Sequence, residues 1–233
     1  MPPSHVEFLG QHHSPLLVID DAGAGAGTDV GRVVDIAAGI APFPAARGNA
    51  YPGLRRFIGS ADTDAAAYAR LLLRRLAPAI NTAFSVDGFD LLTASFSMVT
   101  ARPETLAPIQ RAPHFDSTDP LYLAILHYVG GTAGSGTAFY RQRATGIERV
   151  TDANRAGFVA AAQRDAADWT GYIGASTRSF EQIGAVDAVP DRVVVYQGSL
   201  LHSGTIPDEL SFSDDPRVGR LTANFFVRGR AAA

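Results

Sequence analysis

His114 and Asp116 stand two residues apart in Pro113-His114-Phe115-Asp116, and His202 follows far downstream in Gly198-Ser199-Leu200-Leu201-His202-Ser203-Gly204. Two imidazoles and one carboxylate can grip a divalent first-row metal from one side and leave its other coordination positions open to small reactants. Arg220 then opens the run Arg220-Leu221-Thr222-Ala223-Asn224-Phe225-Phe226-Val227. Its planar fork is suited to pairing bidentately with a carboxylate. Together these four side chains describe a metal with an anionic small molecule beside it.

Each piece also has a plainer reading. In an extended backbone, alternation puts His114 and Asp116 on the same side, so both can face one ion. A His-x-Asp tripeptide is nonetheless unspecific, and a surface imidazole beside a turn-capping Asp satisfies the same spacing. The loop that holds it is bent by Pro108, Pro113 and Pro120 between two strand candidates. His202 comes just after the apolar run Val193-Val194-Val195-Tyr196, and no other histidine follows His127. Leu200 and Leu201 beside it would keep a site partly dry. Arg220, Thr222 and Asn224 share one face of a strand; an inward Arg needs an anionic partner, whereas an outward polar face needs none. Periodicity does not choose between these. Tyr128 closes another strand candidate and could add a hydroxyl to the same pocket. His127, on the opposite face from Tyr128, reads as a bystander.

The elements that must position these residues are mostly extended. Short strands are expected at residues 6–9, 16–19 and 30–36, the last rich in β-branched side chains. Between the second and third lies Asp21-Ala22-Gly23-Ala24-Gly25-Ala26-Gly27-Thr28, which invites a dinucleotide-loop reading. That motif requires strand, glycine turn and helix, so with a strand expected next the loop is read as a flexible hairpin. Residues 64–84 are the clearest helix, with Tyr68, Leu71, Leu72, Leu76, Ala79, Ile80 and Phe84 at three- and four-residue steps. Asp62 or Asp64 can cap it, and Pro78 is expected to kink or divide it. Strands follow at 91–100, 121–129, 137–143, 192–197 and 220–228, interrupted by a helical stretch at 152–172 carrying Phe158, Ala162 and Trp169. Strands following strands, with helices before and between them, point to an antiparallel double-sheet roll backed by helices.

Bulk properties narrow the partners. A chain of 233 residues fits one domain, with residues 1–88 as N-terminal strands and supporting helix and 89–228 as the core. A formal charge of −3 and no Lys/Arg block argue against a nucleic-acid partner. The pairs Arg55-Arg56 and Arg74-Arg75 read as ordinary surface. Without cysteine there can be no disulfide, thiolate metal site or iron–sulfur cluster, so a metal must be held by His and carboxylate. No basic leader with an apolar run and no membrane-length apolar stretch is present, so a cytoplasmic protein with no membrane partner is expected. Serine hydrolysis lacks its Gly-x-Ser-x-Gly elbow at Ser135, Ser199 and Ser203.

Taken in order, His-x-Asp, a strand ending in Tyr, a glycine-rich turn, a strand followed by Gly and His, and Arg-x-Thr resemble the Fe(II)/2-oxoglutarate-dependent dioxygenases of the prolyl 4-hydroxylase-like group. Gly130-Gly131 and Gly136-Thr137-Ala138-Phe139 are similar to that group's Gly-Gly-x-Thr-x-Phe segment, stretched by an insertion, and the resemblance runs over about residues 90–228. It implies a mainly β, α+β architecture: a double-stranded β-helix (jelly roll, cupin-like) with N-terminal strand and helix support. It implies Fe(II) on His114, Asp116 and His202, and 2-oxoglutarate held by Arg220, with Tyr128 and Thr222 as further contacts. The implied reaction is hydroxylation of a substrate C–H with release of succinate and CO2. A carboxylate at Asp116 weighs against halogenation, because the related halogenases carry a small residue there. Arg220 comes eighteen positions after His202, a wider spacing than the group commonly has, and Arg217 is an alternative anchor. The 152–172 helix and the 207–217 loop are expected as walls or lids. Arg102, Arg111 and Arg141 are either contacts to an anionic substrate or solvated side chains. Two rival readings are a cupin-like metalloprotein that does without 2-oxoglutarate and a non-catalytic jelly-roll binding module. The substrate, whether small molecule, amino acid or peptide, and the oligomeric state are not encoded legibly.

Overall fold

The computed structural model describes residues 2–24, 28–47, 51–166 and 169–231. In chain order the elements are β1 (Ser4–Leu9), β2 (Ser14–Ile19), α1 (Val30–Gly39), β3 (Gly53–Phe57), α2 (Thr63–Phe84), β4 (Val86–Val99), β5 (Tyr122–Gly130), β6 (Gly136–Gln142), α3 (Arg155–Asp165), β7 (Phe180–Asp187), β8 (Val193–Gln197), β9 (His202–Thr205) and β10 (Leu221–Ala231). They form a seven-stranded sheet in the order β1-β2-β8-β5-β10-β4-β3 and a three-stranded sheet, β7-β6-β9. Every pairing within them is antiparallel. This is the expected jelly roll, mainly β with helices packed outside it.

Strict alternation divides the large sheet into two buried faces. Phe96 and Met98 of β4, Ile125 of β5, Val195 of β8 and Phe225 of β10 point one way, into a core shared with α1 and α2. Tyr68 of α2 lies between Phe96 and Phe225, its ring centroid 5.9 Å from each. The other face looks across at the small sheet, where Tyr128, Val194 and Tyr196 meet Phe139 of β6 and Leu200. Helix cover on the most apolar face is what the hydrophobic effect demands. As a result the polar series Thr222 and Asn224 of β10 is turned inward, between the sheets, where both side chains are buried.

His127 belongs to the helix face. Its Nε2–H donates to Asp191 at 3.0 Å, which leaves Nδ1 to accept from the Tyr68 hydroxyl at 2.6 Å. The same Asp191 oxygen accepts from the Gly23 amide at 2.7 Å, tying the turn after β2 onto the sheet. The bystander reading of His127 is therefore sharpened into a buried structural strut.

Several local expectations are corrected. Residues 30–36, expected as a strand, lie in helix α1: Val33 and Ala37 bury one face, and the Asp29 carboxylate caps the start by accepting from the Arg32 amide at 3.1 Å. Their four-residue spacing outweighs their β-branched composition. The Gly/Ala stretch is consequently a strand-to-helix connection and not a hairpin loop; its Gly25, Ala26 and Gly27 lie outside the described residues. An acid already caps the helix it leads into, so the position where a phosphate would sit carries a carboxylate. Pro78 leaves α2 continuous. Asp62 sits at the N-cap without capping by its side chain, which instead accepts from the Gly59 amide and from Arg56. Leu71, read into the apolar stripe, is exposed. The helical stretch at 152–172 shortens to α3, with Phe158 and Ala161 buried and Trp169 beyond its end. The short strands β3, β7 and β9 were not anticipated. Among the described residues no helix is long and apolar enough to cross a membrane.

Leu72 is fully buried beneath α2 whereas Leu71 is not. Leu72→Ala is expected to cost about 2–5 kcal/mol in urea unfolding, and Leu71→Ala no more than about 0.5 kcal/mol. Equal losses would show that a different face of the helix is docked.

Candidate metal centre

Backbone pairing brings the two histidines together. The His114 amide donates to the His202 carbonyl at 2.8 Å and the His202 amide donates to the His114 carbonyl at 2.9 Å. This reciprocal antiparallel bridge adds residue 114 to the edge of β9, beyond the three-stranded sheet. Directly opposed residues project to the same face, and the two rings stand 4.3 Å apart by centroid, tilted 52°. Two residues on, the Asp116 amide donates to the Gly198 carbonyl at 2.7 Å, fixing the acid over the same spot. Gly198 must lack a side chain here, because a Cβ would lie 2.5 Å from the Tyr122 ring and 3.2 Å from Asp116 Cβ.

One nitrogen or oxygen from each of His114, Asp116 and His202 lies within 4.8 Å of the others. His202 Nε2 is 3.6 Å from Asp116 Oδ2, and His114 Nε2 is 3.9 Å from Asp116 Oδ1. These gaps are too long for hydrogen bonds. Asp116 Oδ2 is buried with no hydrogen-bond partner. On the far side of His202, Nδ1–H donates to the Leu200 carbonyl at 2.8 Å, so the neutral ring presents its Nε2 lone pair to the gap. An orphaned carboxylate oxygen and an imidazole locked in the ligating tautomer fit a divalent cation.

The electrostatics agree. Burial pulls His202 down to about 4, against the Leu200 carbonyl, which raises it. Burial also pulls His114 down to about 4; His202 and Arg55 lower it further while Asp116 opposes them. The His114 side chain is 51% accessible, but that surface lines the cavity described below. Burial raises the Asp116 carboxyl, with His114 and Arg55 working against it. Both imidazoles are thus neutral, the form that ligates, through the physiological range.

The three residues line a cavity of about 290 Å³ between the sheets, together with Arg220, Thr222, Asn224, Tyr196 and Arg55. Arg220 is buried, donating through Nε to Ser135 Oγ at 2.9 Å and through a terminal nitrogen to the Gly136 carbonyl at 3.4 Å. Among the described residues no acid pairs with it. Thr222 donates to the Ser97 carbonyl at 3.4 Å and accepts from Asn224. Tyr128 is fully buried behind the cavity wall, its hydroxyl 2.7 Å from Thr137 and its ring 5.8 Å from the Arg220 guanidinium. Arg217, the alternative anchor, points elsewhere and pairs with Asp35 at the surface at 2.8 Å.

Other residues with possible roles lie apart from the cavity. Arg111 donates to the Trp169 and Leu106 carbonyls, Arg141 pairs with the buried Glu148, and Arg102 sits over Phe212. The 207–217 loop forms no lid: Leu210 and Phe212 pack behind Tyr51 and Tyr172, and it is these two tyrosines that line the cavity. Tyr172 comes from the segment after α3 that was expected to wall the site. Arg55 and Tyr51 were missed. Arg55 was read, as a pair with Arg56, as ordinary surface; alternation alone does not say which of the two faces inward.

Two antiparallel sheets with the His114, Asp116 and His202 cluster and the buried Arg220 between them make a jelly-roll fold that recurs in solved proteins. The chain is similar in structure to SnoN, the non-heme alpha ketoglutarate dependent epimerase of nogalamycin biosynthesis, at 13% identity and a TM-score of 0.57, over 94% of this chain and 80% of that one. HygX from Streptomyces hygroscopicus, solved with nickel and 2-oxoglutarate, is similar at 15% identity and a TM-score of 0.51, over 93% and 83%. A Pseudomonas putida prolyl-4-hydroxylase aligns over 94% and 95% at 14% identity and a TM-score of 0.45. For SnoN and HygX, at these identities, the likeness is one of fold. By sequence the chain belongs to DUF6445, a family of unknown function, whose family model matches residues 2–227. No curated protein matches it.

Gly198→Ala is expected to displace Asp116 and weaken Ni(II) binding by at least about tenfold; calorimetry giving unchanged affinity would refute the steric account. For the pH dependence, histidines of ordinary pKa near 6.5 would begin losing metal to protons below pH 7. With both imidazoles lowered to about 4, Ni(II) affinity should stay level from pH 7.5 to 6 and fall only in more acid solution. A decline centred near pH 6.5 would contradict the burial assigned to them.

Proposed function

We propose that this chain is an Fe(II)/2-oxoglutarate-dependent oxygenase of the hydroxylase type. The observation that carries the reading is the convergence, in one cavity, of the Asp116 oxygen without a hydrogen bond, the two neutral imidazoles and a buried Arg220 that no acid among the described residues pairs with. In this reading His114, Asp116 and His202 are the metal ligands, and Arg220 pairs with the distal carboxylate of 2-oxoglutarate. When bound, ferrous iron and 2-oxoglutarate supply the activation of oxygen that breaks a substrate C–H bond, with succinate and CO2 as co-products.

The chain's own groups bind and orient. The Leu200 carbonyl holds His202 in its ligating tautomer, and Ser135 with the Gly136 carbonyl holds the Arg220 fork in place. Two of the guanidinium's five donors are thereby used, which leaves donors for a carboxylate. Thr222 stands two residues along β10 and lines the cavity, within the same binding wall. Tyr128, behind that wall, acts through Thr137 and the Arg220 guanidinium. Leu200, Leu201 and Tyr196 are fully buried around His202 and keep water from its back face. A carboxylate at position 116 completes the ligand set and supports hydroxylation, or another outcome of hydrogen abstraction, over halogenation. A ferrous site in a chain without cysteine suits a reducing compartment such as the cytoplasm.

Wild-type protein supplied with Fe(II), oxygen and 2-oxoglutarate is expected to form succinate, and Asp116→Ala to reduce that rate at least about a hundredfold. Arg220→Gln should raise the 2-oxoglutarate Kd at least about tenfold while leaving Ni(II) affinity in place. Succinate formation that survives Asp116→Ala unchanged would remove the acid from the mechanism and the function with it.

A further inference from the structure

The cavity holds a second guanidinium that the proposed chemistry leaves unused. Arg55 is the third residue of β3, the edge strand of the large sheet. Its neighbours fix its direction: Leu54 packs against the helix-side core and Arg56 pairs with Asp62 at 2.8 Å. Arg55 therefore faces inward and lines the cavity. Register places it opposite Ser97, Ser97 opposite Thr222, and Thr222 opposite Tyr128, a polar row that crosses four strands. Arg55 Nε donates to Ser97 Oγ at 3.0 Å, and the guanidinium lies 4.4 Å above the Tyr51 ring. It is held, yet among the described residues no acid pairs with it and its terminal nitrogens have no hydrogen-bond partner.

Three observations point to an anionic occupant. A positioned guanidinium in a partly dry cavity implies a counter-charge. The Tyr51 hydroxyl beneath it is buried beside the Ser97 side chain, close enough to feel both Arg220 and Arg55. Finally, two guanidiniums and a divalent ion outnumber Asp116 and a doubly charged co-substrate by one positive charge. Arg55 also lowers the Asp116 carboxyl and opposes the upward push of burial on Tyr196, so its charge reaches the metal ligands.

We propose that Arg55 is the substrate-specificity residue of this cavity, and that the substrate is a small monocarboxylate whose acid group pairs with Arg55 and Tyr51 while a C–H on its apolar body lies at the metal centre. This rests on the reading of Arg220 as the co-substrate's partner. A planar acid matches the guanidinium fork, and one uncompensated charge calls for one carboxylate. Ile109 and Phe115 supply the apolar surface for the body. At about 290 Å³, shared with 2-oxoglutarate, the space suits a small molecule and not a bulky chain.

The test titrates 3-phenylpropanoate, hexanoate and N-acetyl-leucine, each against its own primary amide, into protein loaded with Ni(II) and 2-oxoglutarate and into metal-free protein. At least one acid should bind wild type about tenfold more tightly than its amide. That preference should vanish in Arg55→Gln, persist in part in Arg55→Lys, and leave 2-oxoglutarate affinity within about threefold in both. No acid-over-amide preference for any probe in either form overturns the proposal. So does a preference that survives Arg55→Gln, or a loss of 2-oxoglutarate binding in that variant to match Arg220→Gln. If wild type takes up neither Ni(II) nor 2-oxoglutarate, the oxygenase reading fails by itself, and the metal-free titration still decides the role of Arg55. Unfolding midpoints of both variants separate a binding loss from a folding loss.

Discussion

The reciprocal backbone bridge between His114 and His202 is the contact on which the site depends. Two amide–carbonyl bonds hold residues far apart in the chain in direct opposition, so their imidazoles need no side-chain partner to share a face. Asp116 then arrives by alternation, two residues along, held by the Gly198 carbonyl. The arrangement of the candidate ligands is thus a property of strand pairing at the rim of the small sheet. Backbone placement of this kind is the pre-organisation a metal site requires.

What surrounds that rim follows from how the large sheet spends its two faces. The helices cover the aromatic and aliphatic face, with Tyr68 between Phe96 and Phe225 and tied through His127 to Asp191. That packing supplies the hydrophobic stabilisation and releases the opposite face to carry Arg55, Ser97, Thr222 and Asn224 between the sheets. Burying such a row is unfavourable when its charges lack partners. Among the described residues neither guanidinium pairs with an acid, and Asp116 Oδ2 has no hydrogen-bond partner, so this interior carries polar groups the protein itself does not satisfy.

Much of this was legible in advance for physical reasons. Period-two runs such as Val193-Val194-Val195-Tyr196 and the i, i+4 stripe Tyr68-Leu72-Leu76-Ile80 are local signals, and local signals report secondary structure directly. The stretch at 30–36 misled because its valines suit either state, and the four-residue spacing of Val33 and Ala37 was passed over. β3 and β9 were too short to announce themselves; β9 contains His202 itself and exists because β6 offers it a ladder. Leu71 and Leu72 show the same limit at the level of one residue, since a broad apolar stripe does not say where its edge lies.

Residue types and their order were enough to nominate His114, Asp116, His202 and Arg220, because ligand chemistry and guanidinium geometry are properties of the side chains themselves. Tertiary structure set Arg217 at the surface on Asp35, and it alone chose Arg55 over Arg56 for the interior. Adjacent or nearby arginines are equivalent until strand register assigns each a face, and register is set by partners distant in the chain.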